Sequence, residues 1–453
     1  MCSSDLLFRY APTYRAENIR SHLDWSAYPG AGHGFQGAVE MCNNNGACRA
    51  LTGGVMCPSY RVTRDERDVT RGRANTLRLA ITGQLGEDAV TSEEMAETLR
   101  LCVSCKACRR ECPTGVDMAR MKIEVQAARV AKRGLSLHDR LIGYLPRYAP
   151  LAAKWPRLAN MRNNVARLRQ WSERYAGLSA RRNLPRWRGD RWREPTRIAS
   201  PEAARPVVFF ADTFNRYFEP ENIDAALAVL AAAGYGVHLP KPPDGGRPLC
   251  CGRTFLAVGL VAEARREAER CVAALAPFIE RGIPFVGLEP SCMLGFRDEI
   301  PALLQREEGR RLAAHALLFE EFLAREANAG KLELSLKPIG KRALLHGHCH
   351  QKSFAAMPAV EAVLSLVPDL SVETVDSSCC GMAGAFGFGA DTIDASLRMA
   401  ELSLLPAVRK ADADTLVVAD GTSCRHQIRD GSGREALHAA RVLAMGLKAS
   451  AHA

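Results

Sequence analysis

The sequence predicts an α/β protein with an all-α N-terminal part, and three observations support this fold class. Apolar residues recur at helical spacing on both sides of a run of closely spaced cysteines near residue 100. Beyond residue 205, short apolar runs typical of buried parallel strands alternate with helical segments. This order of strands and helices occurs twice, and each copy contains a Cys-Cys-Gly triplet.

Composition excludes several classes of protein. The 453 residues, 47% of them hydrophobic, suffice for about three domains with packed cores. No segment has the roughly 20 uninterrupted apolar residues that span a bilayer, and the first ten residues lack the apolar core of a secretory signal. Sixteen cysteines in such a chain favour metal ligands over disulfides. We therefore expect a cytoplasmic protein, with peripheral contact at the inner face of the membrane left open.

We interpret residues 1–38 as an N-terminal tail left by a truncated reading frame. Its opening, Met1-Cys2-Ser3-Ser4-Asp5-Leu6, reads like a translated sequencing adapter, and no helical or strand periodicity follows. The natural protein would then extend upstream. The alternative is an ordinary disordered N-terminus.

Residues 39–135 contain two sets of cysteines with the spacing of iron-sulfur ligands. The run Cys102-x2-Cys105-x2-Cys108-x3-Cys112-Pro113 is typical of a [4Fe-4S] ferredoxin, in which the fourth cysteine binds a neighbouring cluster. By this crossing rule, a complete cluster has the ligands Cys57, Cys102, Cys105 and Cys108, and three corners of another have the ligands Cys42, Cys48 and Cys112. The latter set has Asn45 where a fourth cysteine is expected. It therefore predicts a [3Fe-4S] centre, a [4Fe-4S] centre with another ligand, or no cluster.

Helix signals surround these cysteines. Thr91-Ser92-Glu93-Glu94 has the form of a capping box, and a helical face that includes Cys102 follows it. Asp117 can cap a helix that ends near Gly134. These signals predict a helical ferredoxin-like domain. The arginine-rich segment 71–78 is predicted to open a helix between the two sets, and it either stabilises a reduced cluster or forms a solvated helix face.

Residues 136–205 are predicted to be a basic helical connector. Within 154–205 there are 14 Lys or Arg against 4 Asp or Glu, a net charge of +10, together with four tryptophans, Trp155, Trp171, Trp187 and Trp192. Basic charge with aromatic residues can bind nucleic acid, an acidic partner domain or an anionic membrane surface. Because no nucleic-acid-binding motif accompanies the segment, we favour the connector and expect no nucleic-acid partner.

The chain beyond the connector is predicted to consist of two repeated α/β units, 206–325 and 340–445. Cys250 precedes Cys379 by 129 residues and Cys292 precedes Cys424 by 132 residues, so the two copies keep their register. Parallel strands present ligands at their carboxyl ends. We therefore expect two thiol sites, one with Cys250, Cys251 and Cys292 and one with Cys349, Cys379, Cys380 and Cys424.

The two thiol sites differ in the residues that accompany the cysteines. In the first unit, Thr213-Phe214 occupies the place of Cys349. In the second, His346, His348 and His350 alternate around Cys349, and His426 follows Cys424. We include His348 and His350 among the candidate metal ligands, so additional iron, zinc or a mixed Cys/His site remains an alternative there. Cys271 carries no ligand pattern and is expected in the core.

From about residue 7 to residue 427 the chain resembles the C-terminal iron-sulfur half of FAD-linked D-2-hydroxyacid dehydrogenases of the D-2-hydroxyglutarate and D-lactate type. The resemblance lies in Met56-Cys57-Pro58-Ser59, Thr70-Arg71-Gly72-Arg73-Ala74, the run from Cys102 to Pro113, His348-Cys349-His350-Gln351-Lys352, Cys379-Cys380-Gly381-Met382 and Asp420-Gly421-Thr422-Ser423-Cys424-Arg425. It implies a helical ferredoxin domain followed by cysteine-rich repeats. It also implies transfer of electrons from the FAD of a preceding half or partner subunit to a quinone or another carrier.

Two alternatives to electron relay remain. Related heterodisulfide reductases end the repeat in C-x-x-C and hold a non-cubane cluster, whereas Cys424-Arg425-His426-Gln427 and Cys292-Met293-Leu294-Gly295 lack the last cysteine. A reductase with a catalytic metal at the Cys-Cys-Gly site is one alternative. The other is an interaction platform stabilised by zinc.

Overall fold

The computed structural model describes residues 16, 19–28, 34–195 and 205–448. The first part of this range is helical, as predicted. Its helices before the connector are Gly34–Glu40, Pro58–Thr63, Thr70–Ile81, Glu93–Arg100, Ala107–Glu111 and Met118–Arg133. Those of the connector are Leu137–Gly143, Leu145–Ala152, Pro156–Ala159, Met161–Asn164 and Ala166–Ala176.

The ends of two helices test the capping predictions. Asp117 accepts a hydrogen bond from the Arg120 amide at 3.1 Å, and Gly134, with φ +76°, ends the helix Met118–Arg133 as expected. The helix Glu93–Arg100 has Ser92 as its N-cap rather than Thr91, because the Ser92 hydroxyl accepts from the Met95 amide at 3.1 Å. That helix ends before Cys102, so the predicted helical face carrying Cys102 was wrong.

Part of the predicted tail packs on this helical region. Leu23 and Trp25 are buried, and the Glu124 carboxylate accepts hydrogen bonds from the Leu23 amide at 2.8 Å and the Trp25 indole at 2.9 Å. Buried carboxylates require such donors. The segment 19–28 is therefore anchored to the helix Met118–Arg133, whereas the adapter-like opening lies outside the described residues.

Two parallel sheets follow, each with four strands. In the first, β1 (Arg205–Phe210), β2 (Tyr235–His238), β3 (Phe285–Gly287) and β4 (Ala316–Leu318) are ordered β2-β1-β3-β4. In the second, β5 (Lys341–Leu345), β6 (Leu370–Thr374), β7 (Leu416–Val418) and β8 (Ala436–Leu437) are ordered β6-β5-β7-β8. Val208 pairs with Phe285 in the first register and Ala343 with Leu416 in the second. The predicted mixed α/β class with a helical N-terminal part is confirmed.

Helices cover both sheets. Those of the first unit are Thr213–Phe218, Pro220–Ala232, Arg253–Ala257, Val261–Ile279, Pro290–Arg297, Glu299–Leu304, Glu307–His315 and Phe319–Asn328. Those of the second are Cys349–Ser353, Met357–Leu364, Ile393–Glu401, Leu404–Lys410, Thr422–Ser432 and Ala439–Met445. Leu230 of the first unit and Leu443 of the second belong to one buried apolar cluster. The two units therefore share core, and burial of this apolar surface holds them together.

The connector packs through only some of its aromatic residues. Trp192 is buried, and the Trp187 ring lies 4.6 Å from that of Phe218. By contrast, Trp155 and Trp171 are 66% and 59% exposed. Among the described residues, no helix combines the length and the apolar character that crossing a bilayer requires.

Candidate metal centres

The four cysteines predicted to hold a complete cluster line one cavity. Cys57, Cys102, Cys105 and Cys108 surround a space of about 310 Å³, part of it open to solvent, together with Arg73 and other residues of the flanking helices. Three of these cysteines are buried and Cys102 is partly exposed. Four thiols around one cavity form the donor set of a [4Fe-4S] cluster, so the residues present fit that group.

Tight local turns bring these cysteines to the same cavity. Cys57, Ser104 and Lys106 have φ values of 51°, 50° and 64°, in the left-handed region that non-glycine residues rarely adopt. Such residues cost about 1–3 kcal/mol each and persist where the surroundings enforce them, often at ligand-binding loops. The left-handed residues on either side of Cys105 turn the chain twice between Cys102 and Cys108.

Hydrogen bonds and charge surround the Cys57 thiol. The Thr70 amide donates to its Sγ at 3.1 Å, and the Thr70 hydroxyl lies 3.0 Å from it. Burial raises the pKa of Cys57 to about 11, against the opposing effect of the Arg73 guanidinium. Burial likewise raises the pKa of Cys105 and Cys108 well above the usual value. A bound cation would oppose this effect of burial, because it favours the thiolate form.

The second predicted set also converges. The thiols of Cys42 and Cys112 lie close enough to Cys48 to raise its pKa, although burial raises it more. The Asn45 side chain donates a hydrogen bond to Cys112. Burial would raise the pKa of Cys112, but hydrogen bonds from Thr114, Val116 and Asn45 together lower it. The three cysteines therefore lie near one another, and the Asn45 side chain contacts Cys112.

Arginines of the helix Thr70–Ile81 lie beside both thiol sets. The Arg71 amide donates to the Cys48 sulfur, and the Arg71 guanidinium also lies near that thiol. Arg73 is 2% exposed, and its guanidinium lies near Cys57. Positive charge beside a cluster favours its reduced, more anionic form. These contacts favour the functional interpretation of the arginine-rich segment at two of its positions.

The second α/β unit gathers four thiols and one histidine. A chain of hydrogen bonds links Cys349 to Cys379, Cys379 to Cys380, and Cys380 to Cys424. The ligand atoms of His346, Cys380 and Cys424 lie within 4.8 Å of one another, and all three residues are buried. The His346 Nδ1 lies 2.9 Å from the Ser377 hydroxyl, which orients the ring. This donor set can hold zinc or iron.

The other histidines near Cys349 have different contacts. The His348 Nδ1 accepts from the His350 amide at 3.1 Å and so caps the helix Cys349–Ser353. The His350 Nε2 lies 3.0 Å from the Ser104 carbonyl oxygen, to which it donates. The structure therefore groups His346 with Cys380 and Cys424, while His348 caps its helix close to the Cys349 thiol and His350 contacts Ser104. The alternation of the three histidines along the sequence did not distinguish their roles.

The first α/β unit has a smaller thiol group. The sulfur atoms of Cys251 and Cys292 are 3.0 Å apart, and the Thr213 hydroxyl hydrogen-bonds to Cys250, at the position where the second unit has Cys349. The Cys251 hydrogen bond lowers the pKa of Cys292, but burial and the carboxylates of Asp212 and Glu289 raise it to about 12. Cys271 is fully buried and donates to the Cys250 carbonyl at 3.2 Å, as expected of a core residue.

The complete thiol set of the helical part adjoins the thiol group of the second unit. The Ser353 hydroxyl donates to the Cys105 carbonyl at 2.8 Å. Burial has the largest effect on the pKa of Cys105 and raises it, and the nearby Cys349 thiol raises it further. The same loop also contacts the first unit, because Lys106 forms a buried ion pair with Asp298 at 2.9 Å. The helix Cys349–Ser353 is therefore fixed against the loop that carries Cys105.

Comparison with known proteins identifies a known type of domain in the helical part. Residues 38–116 match the family model described as a 4Fe-4S dicluster domain, and this range includes all seven cysteines of the two predicted sets. The chain is 26% identical to D-2-hydroxyglutarate dehydrogenase of Escherichia coli K12, over 90% of the chain and 43% of that protein. It therefore spans less than half the length of this relative.

Two shorter relatives are matched over most of their length. One subunit of the anaerobic glycerol-3-phosphate dehydrogenase of Escherichia coli K12 is 27% identical, over 69% of the chain and 78% of that relative. A probable glycolate oxidase iron-sulfur subunit of Bacillus subtilis is 22% identical, over 89% of the chain and 91% of that relative. The chain thus contains a 4Fe-4S domain and is homologous to components of dehydrogenases and oxidases.

Proposed function

We propose that this chain is the iron-sulfur electron-transfer component of an FAD-linked D-2-hydroxyacid dehydrogenase. It would receive electrons from FAD on a preceding half or a partner subunit and pass them to a quinone or another carrier. The observation that carries this proposal is the cavity lined by Cys57, Cys102, Cys105 and Cys108. The relatives named as iron-sulfur subunit and as D-2-hydroxyglutarate dehydrogenase support it.

In this proposal the ligands are those predicted from the sequence. Cys57, Cys102, Cys105 and Cys108 hold one [4Fe-4S] cluster, and Cys42, Cys48 and Cys112 hold a second centre. A cluster in each of these positions would carry one electron at a time. The protein's own residues keep the sulfurs buried, donate hydrogen bonds to them and place Arg71 and Arg73 beside them. These groups tune the potential at which electrons enter and leave.

We further propose that the two α/β units are structural repeats with separate metal sites. Their sheets share one strand order, and each unit places its Cys-Cys-Gly triplet near a later cysteine. The second site, with four thiols and His346, is the fuller donor set and adjoins the Cys105 loop. This contact favours a role for the second site in electron exit, with a catalytic metal as the alternative.

The connector supplies a surface on which the protein can meet an anionic membrane, where a quinone acceptor resides. Exposed apolar side chains lie among the arginines of this segment, namely Leu137, Leu141, Leu151, Trp155, Leu158, Met161, Val165, Trp171 and Tyr175. Interfacial tryptophans with basic neighbours are typical of peripheral membrane contact. The nucleic-acid alternative has no comparable support.

Metal analysis and EPR of anaerobically purified protein test the proposal. We expect roughly four to eight irons per chain and ferredoxin-like signals on reduction. Cys105→Ser should remove the signal of the complete cluster, whereas Cys271→Ser, which alters a buried cysteine outside the thiol sets, should retain it. The reduced protein should be reoxidised by ubiquinone-1. Colourless, iron-free protein would refute the proposal, and zinc near one per chain without iron would support the platform instead.

A further inference from the structure

A buried cluster of three ionisable residues lies at the boundary between the two α/β units, outside the thiol groups. Glu320 is the second residue of the helix that follows β4, Asp420 follows β7, and His438 follows β8. Their exposed fractions are 0%, 1% and 0%. The His438 Nδ1 lies 3.7 Å from a Glu320 carboxylate oxygen and 3.5 Å from an Asp420 carboxylate oxygen. One ligand atom from each residue falls within 4.8 Å of the others.

The hydrogen-bond partners fix the protonation of His438. Its Nε2 lies 3.2 Å from the Leu288 carbonyl oxygen, which can only accept, so Nε2 carries the hydrogen. Its Nδ1 accepts from the Ala440 amide at 3.0 Å, so this nitrogen presents a lone pair. The Nδ1 atom therefore has no proton to donate to the two carboxylate oxygens near it.

The two carboxylates of the cluster supply further hydrogen-bond acceptors beside His438. Asp420 accepts from the Ala439 amide at 3.0 Å and from the Gln351 side chain at 2.8 Å, so both of its oxygens are oriented. Within the described part of the chain, no residue other than Glu320 itself, through its own amide, donates to a carboxylate oxygen of Glu320. Burying a carboxylate without a partner is unfavourable in free energy, and a cation bound between the three residues would offset this penalty.

We propose that Glu320, Asp420 and His438 bind one divalent first-row transition metal ion that joins the two α/β units. Ligands at about 2.0–2.2 Å from a tetrahedral ion are about 3.3–3.6 Å apart, close to the two distances from the His438 Nδ1. Metal-bound histidines usually donate their other ring N–H to a carbonyl or carboxylate, as His438 does to Leu288. Coordination of the ion by Nδ1 would replace the hydrogen bond from the Ala440 amide.

The donor set distinguishes this site from the thiol sites. Two carboxylates and one imidazole suit zinc or manganese, whereas iron-sulfur clusters require thiolates. The nearby Arg425 guanidinium pairs with Glu219 and donates to the Ala419 and Asp420 carbonyl oxygens at 2.9 and 2.6 Å, so these hydrogen bonds leave the carboxylate oxygens of Glu320 and Asp420 to other partners.

The site also explains how the loop before Cys424 is held. Asp420 lies four residues before Cys424, and its partner Gln351 lies two residues after Cys349. An ion bound to Asp420 and to Glu320 of the first unit would fix both segments relative to that unit. It acts as a positioning site for the second thiol group.

Zinc content tests the proposal. Anaerobically purified protein is incubated with Zn²⁺, desalted and analysed for zinc and iron, as wild type, as Glu320→Gln with His438→Asn, and as Glu326→Gln, a control on the same helix. We expect the double variant to contain about one zinc per chain less than wild type and the control, with unchanged iron. Gln351→Ala should weaken zinc binding roughly 10–100-fold.

Folding is monitored separately by circular dichroism and thermal unfolding. Added Zn²⁺ should raise the Tm of the wild type and the control but not of the double variant. Equal zinc content in wild type and double variant would overturn the proposal. So would an infrared band of a protonated carboxylic acid in zinc-treated wild type that disappears in Glu320→Gln, because Glu320 would then carry a proton instead of a metal.

Discussion

The Ser353 hydroxyl donates a 2.8 Å hydrogen bond to the carbonyl oxygen of Cys105, although the two residues are 248 positions apart. Ser353 ends the helix that begins at Cys349, and Cys105 lies in the loop of the complete thiol set. This bond therefore links the helical part of the chain to the second α/β unit at the point where their thiol groups adjoin.

Ser353→Ala should reduce the free energy of unfolding by about 1–3 kcal/mol, because a buried carbonyl loses its donor. Urea unfolding of anaerobically purified protein measures this change. Ser365→Ala, which removes an exposed hydroxyl bonded within its own helix, should change stability by less than about 0.5 kcal/mol. Equal effects of the two substitutions would contradict a specific role of Ser353.

Asn45→Cys should complete the second cluster. Asn45 hydrogen-bonds to Cys112 and stands where the ferredoxin spacing calls for a cysteine, so a thiolate there supplies the missing corner. If the natural centre is [3Fe-4S], the iron content should rise by about one per chain, and the EPR signal of the oxidised [3Fe-4S] centre should be lost. Thr52→Cys, at an exposed position of the following loop, is the control, and it should leave both iron content and signal unchanged.

Arg71→Met should lower the reduction potential of the centre at Cys42, Cys48 and Cys112. Removing a positive charge beside Cys48 disfavours the reduced state by on the order of 1 kcal/mol, or roughly 40 mV for one electron. Glu66, which forms an ion pair with Arg71 at 2.7 Å, provides the opposite test. Glu66→Gln should raise the potential, and EPR-monitored redox titration measures both shifts. Shifts of the same sign would refute the electrostatic explanation.

Trp155→Ser with Trp171→Ser should weaken binding to vesicles of phosphatidylcholine and phosphatidylglycerol about tenfold. Both indoles are mostly exposed, and burying part of each contributes on the order of 1–2 kcal/mol. Co-sedimentation measures the bound fraction, which should also fall with added salt. Leu402→Ser, which alters an exposed leucine of the second unit, is the control. Failure of wild type to bind these vesicles would exclude the connector as a membrane contact.

Local spacing was sufficient to predict much of the fold. Apolar runs beyond residue 205 predicted strands, and β1 and β5 are such runs. Asp117 and Gly134 marked the ends of one helix, because caps depend on neighbouring residues. The last strand of each sheet depends on its neighbour instead. β4 and β8 have only three and two residues, and such short segments form by pairing with β3 and β7 rather than by a pattern of their own.

The sequence by itself predicted which cysteines belong together in the helical part, since the ligand spacing and the position of Asn45 are properties of the local chain. Only the tertiary structure decided which histidine joins the thiols of the second unit. His346, His348 and His350 have alternating positions, but packing places the first beside Cys380 and turns the last toward Ser104. The cluster of Glu320, Asp420 and His438 likewise arises from residues far apart in sequence, because the two α/β units are brought together by their shared apolar core.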